Sequence, residues 1–299
     1  MQHSFPNSYE EIIKQLNQVE TARNARLASL AIVFYDYLIT FDREVDLIWK
    51  SEWYFPKVIF LMNRYYAIAS AIFSYYIFFG SQLSSKLCLH YYLWEGWTGL
   101  IACMLAETIL QMRIYGLYRQ DKFIVRLMVF LFIACSTAAA ITMGISLRGV
   151  KTFPIDIPNG QFCFGIALPH LFAFWIPVLS FEIFLCSLAL LHGYEYYRSE
   201  NRSLLSFGTF YQNRLSDIIV RDSIIYFFTI GAVYLTCLIV WIINQNALVE
   251  APAGFSIALS SVLGSRLILN LREAHVQHPT RFSSTVGTSI IVIDTPYSE

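Results

Sequence analysis

Asp36, Asn63, Arg64, Glu107, Gln111, Glu182, Arg266 and Asn270 are polar or ionisable residues set within stretches that are otherwise apolar. A charged side chain in hydrocarbon costs about 2.5–3.5 kcal/mol even on the lenient insertion scale, so it is retained where it faces a bundle interior and finds a partner. The acids and arginines of this group are expected to lie at similar depth, at or just inside the midplane, and to pair. Complementary charge favours Asp36 with Arg64 or Arg266, and Glu107 with Arg64, which leaves Glu182 over. Such a belt could serve as an ion or proton path, or as a switch that re-pairs when a ligand binds. It could equally be a static network that fixes helix packing, with Arg64 and Arg266 reaching toward the interface.

Cysteine placement supplies a second constellation. Cys103, Cys135, Cys186 and Cys237 fall within apolar stretches, where a free thiol behaves as a small apolar group. Cys88 and Cys163 fall in loops on the opposite face from most Lys and Arg, where an oxidising compartment would preserve a disulfide. Bridging them would tie the start of one helix to a long outer loop. Near that end Trp94, Glu95 and Trp97 follow Tyr91 and Tyr92. An interfacial aromatic belt accounts for the rings, and Glu95 among them is a candidate contact for a cationic ligand.

Other chemistry has no visible basis. The histidines form no helical metal-binding pair with a glutamate between them, and there is no Gly-rich phosphate loop or G-x-S-x-G elbow. No catalytic residues, cofactor or metal site are therefore expected, and the protein is read as a non-enzyme. A formal net charge of zero points to no nucleic-acid partner.

The elements that must position these groups follow from composition. Apolar residues make up 56% of the chain and charged residues only 14%, against about 25% charged in soluble domains. Runs of membrane-spanning length occur at roughly 24–41, 58–79, 89–115, 127–146, 169–191, 223–243 and 251–271. The expected fold class is an all-α polytopic membrane bundle of about seven transmembrane helices. Loops 1–2, 3–4 and 5–6 with the C-terminal tail carry roughly twice as many Lys and Arg as the other face. That asymmetry predicts an N-terminus outside and a C-terminus in the cytoplasm; the membrane is expected to be the plasma membrane rather than an internal one.

Residues 1–23 read as an extramembrane tail without a cleavable leader. It holds a short amphipathic helix opened by the capping spacing Ser8–Glu11, with Tyr9, Ile12, Ile13, Leu16 and Val19 on one face. Residues 24–272 form the transmembrane domain, and 273–299 read as a mobile cytoplasmic tail in which 289–293 has strand character. Pro177 is expected to kink the fifth helix. Ser256, Ser260 and Gly264, with Ser261 and Ser265, form a small-residue ladder for close helix packing. The mixture of charge and bulk from Asp42 to Trp53 suits a helical turn in the inner interface, which seals the bundle or docks a cytosolic partner.

Tyr35-Asp36-Tyr37-Leu38-Ile39-Thr40, Asp42-Arg43-Glu44-Val45, Leu47-Ile48-Trp49, then Trp53, Lys57, Phe60-Leu61 and Asn63-Arg64-Tyr65 form a recognisable pattern. It resembles the membrane proteins grouped as domain of unknown function 6533, common in mushroom-forming fungi. Ala106-Glu107, Arg113, Tyr115, Tyr118 and Ser265-Arg266-Leu267 are looser similarities. The resemblance implies several membrane helices and a fungal origin, and brings no activity or site residues.

The outline favours a receptor-like signalling protein, with its lipid bilayer and a cytosolic partner at the basic inner loops as the surroundings. Arg113 has no acid before it, and the last helix lacks an Asn-Pro-x-x-Tyr pattern, which argues against G-protein coupling. A transporter or channel that uses the polar belt is the alternative. No symmetric repeat supports it.

Overall fold

The computed structural model describes residues 9–80, 83–118, 121–157, 160–166, 170–200, 210–243 and 247–277. Ser8 of the expected capping box, the segment 289–293 and the glycosylation pattern at 201–203 lie outside them. Among the described residues there are seven α-helices: α1 Tyr9–Glu44, α2 Phe55–Phe79, α3 Ser85–Leu117, α4 Lys122–Leu147, α5 Trp175–Glu200, α6 Phe210–Ile243 and α7 Glu250–Gln277. Five helical stretches are long and apolar enough to cross a membrane: Ser85–Leu117, Lys122–Leu147, Leu171–Tyr194 (the 3-10 turn Leu171–Phe174 with most of α5), Ile224–Ile243 and Glu250–Glu273. The chain is thus a largely helical, polytopic membrane protein.

Helix α1 differs from the expectation of a surface helix followed by a separate first span. It is one continuous helix of 36 residues, about 54 Å long at 1.5 Å per residue. Among its described side chains, Val19, Ala22, Arg26, Ser29, Val33, Asp36, Thr40 and Glu44 are buried. They recur every three or four positions and so share one face. The opposite face exposes Leu27, Phe34, Tyr35, Leu38, Ile39 and Phe41. Polar groups therefore line the protein side of α1, and apolar groups line its outside. Asp36, Asp42, Arg43 and Glu44 hold its hydropathy down. In α2 the same pattern buries Asn63, Arg64, Ser70 and Ser74 while Met62, Ile72, Tyr75 and Tyr76 are exposed.

Helix α7 occupies the centre, packed against α1, α2, α3 and α6. Its small residues permit this: Ser256, Ser260, Ser261 and Ser265 are buried. A Cβ at Gly264 would lie 2.9 Å from Ile109 Cδ1, so a larger residue there would have to displace that methyl of α3. Asn63 Nδ2 donates to the Ser261 carbonyl at 3.1 Å, and Ser261 Oγ donates back to the Asn63 carbonyl at 3.0 Å. Pro177 is the third residue of α5. That helix directly follows the 3-10 turn Leu171–Phe174, so the proline expected to kink α5 sits where the tighter turn passes into the α-helix.

The loop between α4 and α5 is not irregular. Lys151–Ile157 (β1) and Gly160–Ile166 (β2) form an antiparallel hairpin in which Pro154 faces Cys163, a departure from an all-α reading. Cys163 is joined to Cys88 at the start of α3, with Cα atoms 5.4 Å apart. Phe162 packs edge-on to Phe78 at 5.4 Å, and Tyr92 OH donates to the Cys163 carbonyl at 3.3 Å. A Cβ at Gly165 would sit 2.6 Å from the Tyr92 ring, so glycine lets β2 lie flat on α3. At the opposite end α1 passes into a π-helical turn, Val45–Trp49, in which Ile48 is buried.

Candidate functional site

Beneath the hairpin lies a cavity of about 90 Å³. Tyr92, Glu95, Gly96 and Gly99 of α3, Met143 and Leu147 of α4, and Gly165 of β2 form one side. Phe174, Trp175, Trp241, Glu250 and Ser256 face them from α5, α6, α7 and the 3-10 turn before α5. Trp175 and Trp241 meet edge to face at 5.5 Å, and Phe174 lies 5.0 Å from Trp175. The wall is thus mostly aromatic, with carboxylates set into it.

Those carboxylates share one cation. Arg26 of α1 pairs with Glu95, and its Nη2 lies 2.6 Å from Glu250 Oε2. All three side chains are at most 12% exposed. Two acids and one guanidinium leave a formal excess of one negative charge beside the cavity. Glu95 Oε2 and Trp175 Nε1 are buried without a hydrogen-bond partner among the described residues. An acceptor and a donor therefore stand unused at the cavity wall, and an unmet buried polar atom ordinarily costs about 1–3 kcal/mol. Gly254 makes room for Arg26, because a Cβ there would lie 3.0 Å from the arginine Cδ. Of the outer residues singled out by sequence, Glu95 reaches this site. Trp94 instead packs on Phe73 at 4.6 Å, and Trp97 is 44% exposed, turned away from the bundle.

The polar belt divides into two parts. In the first, Asp36 Oδ1 accepts from Arg266 Nε at 2.6 Å, and Asp36 Oδ2 lies 3.4 Å from Arg64 Nη1. Arg64 Nε is 2.7 Å from Glu44 Oε2, and Arg64 Nη2 donates to Thr40 Oγ1 at 2.6 Å. Glu44 also accepts from Tyr65 OH and Trp49 Nε1. Asp36 therefore meets both expected arginines, whereas Glu107 does not meet Arg64. The guanidinium faces α1, where Asp36, Thr40 and Glu44 stand one turn apart, and not α3. Arg266 does not point fully inward either: its side chain is 45% exposed. Asn270 is exposed and accepts from Arg43 Nη2 at 3.0 Å.

The second part is Glu107 of α3 and Glu182 of α5, 3% and 2% exposed. Glu107 Oε1 and both Glu182 oxygens lack hydrogen-bond partners among the described residues. The two acids act on each other electrostatically, and Tyr226, Tyr234 and Cys103 share their surroundings. Gln111 is half-buried and lines a separate groove on the opposite side of α3 from the hairpin cavity. Among the described residues no cluster of His, Cys, Asp and Glu could hold a metal ion.

Glu44, Arg26 and Glu250 are the participants that sequence reasoning passed over. A signal for the first two exists: Arg26, Ser29, Val33, Asp36, Thr40 and Glu44 follow a three-four spacing, legible once α1 is continued past Phe41. Glu250 carries no such signal, because only folding brings the start of α7 to α1 and α3.

No curated protein matches the chain. Residues 25–69 match the family of unknown function DUF6533. That stretch holds Arg26, Asp36, Glu44 and Arg64, so the part of this chain that carries the DUF6533 match is the buried polar face of α1 and its partner surface on α2.

Proposed function

We propose that this is a seven-helix, receptor-like membrane protein whose hairpin-covered cavity binds a small organic cation. The observation that carries the reading is the cavity itself: aromatic walls, an excess carboxylate charge, and an unused acceptor on Glu95. Aromatic faces and carboxylates together favour a cation, contributing about 0.5–2 kcal/mol for each ring contact. A disulfide-anchored hairpin over the opening restricts entry and lowers the flexibility of the wall.

Seven spans are supported by the inside-out pattern of α1 and α2, whose exposed faces are apolar although their mean hydropathy is modest. The hairpin end is the outer one in this reading. A disulfide favours an oxidising compartment, and the opposite end carries most of the Lys and Arg in the sequence. The N-terminus is then outside and the C-terminus cytoplasmic, in the plasma membrane, with the basic inner loops available to a cytosolic partner.

The test is a thermal-shift and binding screen of the purified protein with trimethylalkylammonium and arylalkylamine probes, followed by Glu95→Gln. A saturable hit is expected, weakened about tenfold by the substitution. Binding that is unchanged in Glu95→Gln, or shared by equally sized neutral compounds, would overturn the assignment.

A transport reading is favoured by a different observation, the unpaired burial of Glu107 and Glu182. If Glu182 is only structural, Glu182→Gln should leave the protein as stable or more so, by about 1 kcal/mol. Proton-coupled flux in vesicles that disappears in that variant would establish transport.

A further inference from the structure

The end of the bundle opposite the hairpin holds two cations, Arg272 and Lys57, that meet carbonyls and rings but no carboxylate among the described residues, beside an apolar groove. The groove holds about 550 Å³ and opens sideways between α2, α3 and α4, lined by Phe55, Pro56, Met112, Met128, Val129 and Phe132 among others. A smaller cavity of about 50 Å³ shares Tyr54, Pro56 and Met112 with it and extends to Arg272. Arg272 Nε donates to the Leu47 carbonyl at 2.9 Å, and the guanidinium lies 4.7 Å over the Tyr54 ring. Its Nη1 is buried and has no hydrogen-bond partner among the described residues.

Lys57, the third residue of α2, likewise meets no carboxylate among the described residues. Its Nζ donates to the Ser51 carbonyl at 2.7 Å and lies 4.8 Å over the Trp53 ring. Burial, and then the neighbouring Arg272 guanidinium, pull this ammonium below the ordinary lysine range. The acids of this end are occupied or turned outward. Glu44 is paired with Arg64, Asp46 with Lys50 and Glu273 with Arg43, while Asp42, Glu52 and Asp121 are exposed.

We propose that this end binds an anionic phospholipid, with the phosphate against Arg272 and Lys57 and one acyl chain in the groove between α2, α3 and α4. A free anion would satisfy the cations and leave the groove empty. A neutral lipid would fill the groove and leave the cations repelling one another. One molecule that carries both features answers both, as expected of basic pockets at a membrane face. The proposal stands apart from the hairpin cavity and does not depend on what that cavity binds.

The experiment is lipid retention by native mass spectrometry of the full chain, taken from nanodiscs containing phosphatidylcholine and phosphatidylserine with the same acyl chains. Phosphatidylserine should be retained in preference, and Arg272→Gln and Lys57→Gln should each reduce that preference about fivefold. Should either variant fail to fold, Val129→Trp decides the matter, because it fills the groove and leaves both cations intact. It should lower retention of phosphatidylserine to the phosphatidylcholine level. Equal retention of the two lipids in the unmodified protein would overturn the proposal, as would Val129→Trp without effect. Inorganic phosphate that displaces the lipid at equal concentration would assign the cations to a free anion instead.

Discussion

Asp36 accepts from one arginine that is buried and from another that is half exposed, and that difference sets what each contact is worth. Removing the acid strands Arg64 in the interior with Glu44 alone to compensate it. Asp36→Asn should therefore destabilise the bundle by about 3 kcal/mol or more, read as a lowered midpoint in thermal unfolding in detergent. Arg266 is screened where its side chain emerges, so Arg266→Gln should lower stability by about 1 kcal/mol or less. Equal losses in the two variants would contradict this division. Charge arithmetic on the sequence alone offered Arg64 or Arg266 for Asp36, and the fold brings both to it. The same arithmetic misassigned Glu107 because complementarity says which charges need partners, not which face of α2 carries Arg64.

At the scale of elements, the hairpin is the piece that the sequence concealed most. Its strands alternate weakly around Pro154, Pro158 and two glycines, Gly160 and Gly165, residues that ordinarily mark loops. What makes them a hairpin is the support beneath: Phe162 on Phe78, Tyr92 on the Cys163 carbonyl, and the covalent link to Cys88. The cysteines are 75 residues apart, and a closed loop of that length stabilises a freely unfolding chain by about 4 kcal/mol. Replacing both cysteines by serine should lower the unfolding midpoint and speed proteolysis within 151–166. It should also weaken any ligand held under the hairpin, measured against the disulfide-linked protein under non-reducing conditions.

For the whole molecule, apolar residues face outward along α1 to α6, packed around the central α7, while Arg26, Asp36, Glu44, Arg64, Glu107, Glu182 and Glu250 lie inside. A water-soluble bundle sorts its side chains the other way, so the surrounding solvent that stabilises this arrangement is hydrocarbon. The proposed orientation has a direct check in cells. Asn201 should remain unglycosylated although Asn201-Arg202-Ser203 matches the acceptor pattern. An N-terminal epitope should be reached by antibody on intact cells, and a C-terminal one only after permeabilisation. Glycosylation at Asn201 would reverse the topology and would place the hairpin in the reducing compartment.

The helical, membrane-embedded character of this protein was legible in its sequence, because hydrocarbon selects long apolar runs residue by residue and needs no knowledge of neighbours. The buried face of α1 was also present there as a three-four spacing of polar and small residues from Arg26 to Glu44. What only the tertiary structure decided is which charges meet. Arg26, Glu95 and Glu250 come from three helices, and Asp36 and Arg266 are separated by 230 residues. Ion pairing depends on a few ångströms of separation, which helix rotation and packing set and which no local pattern records.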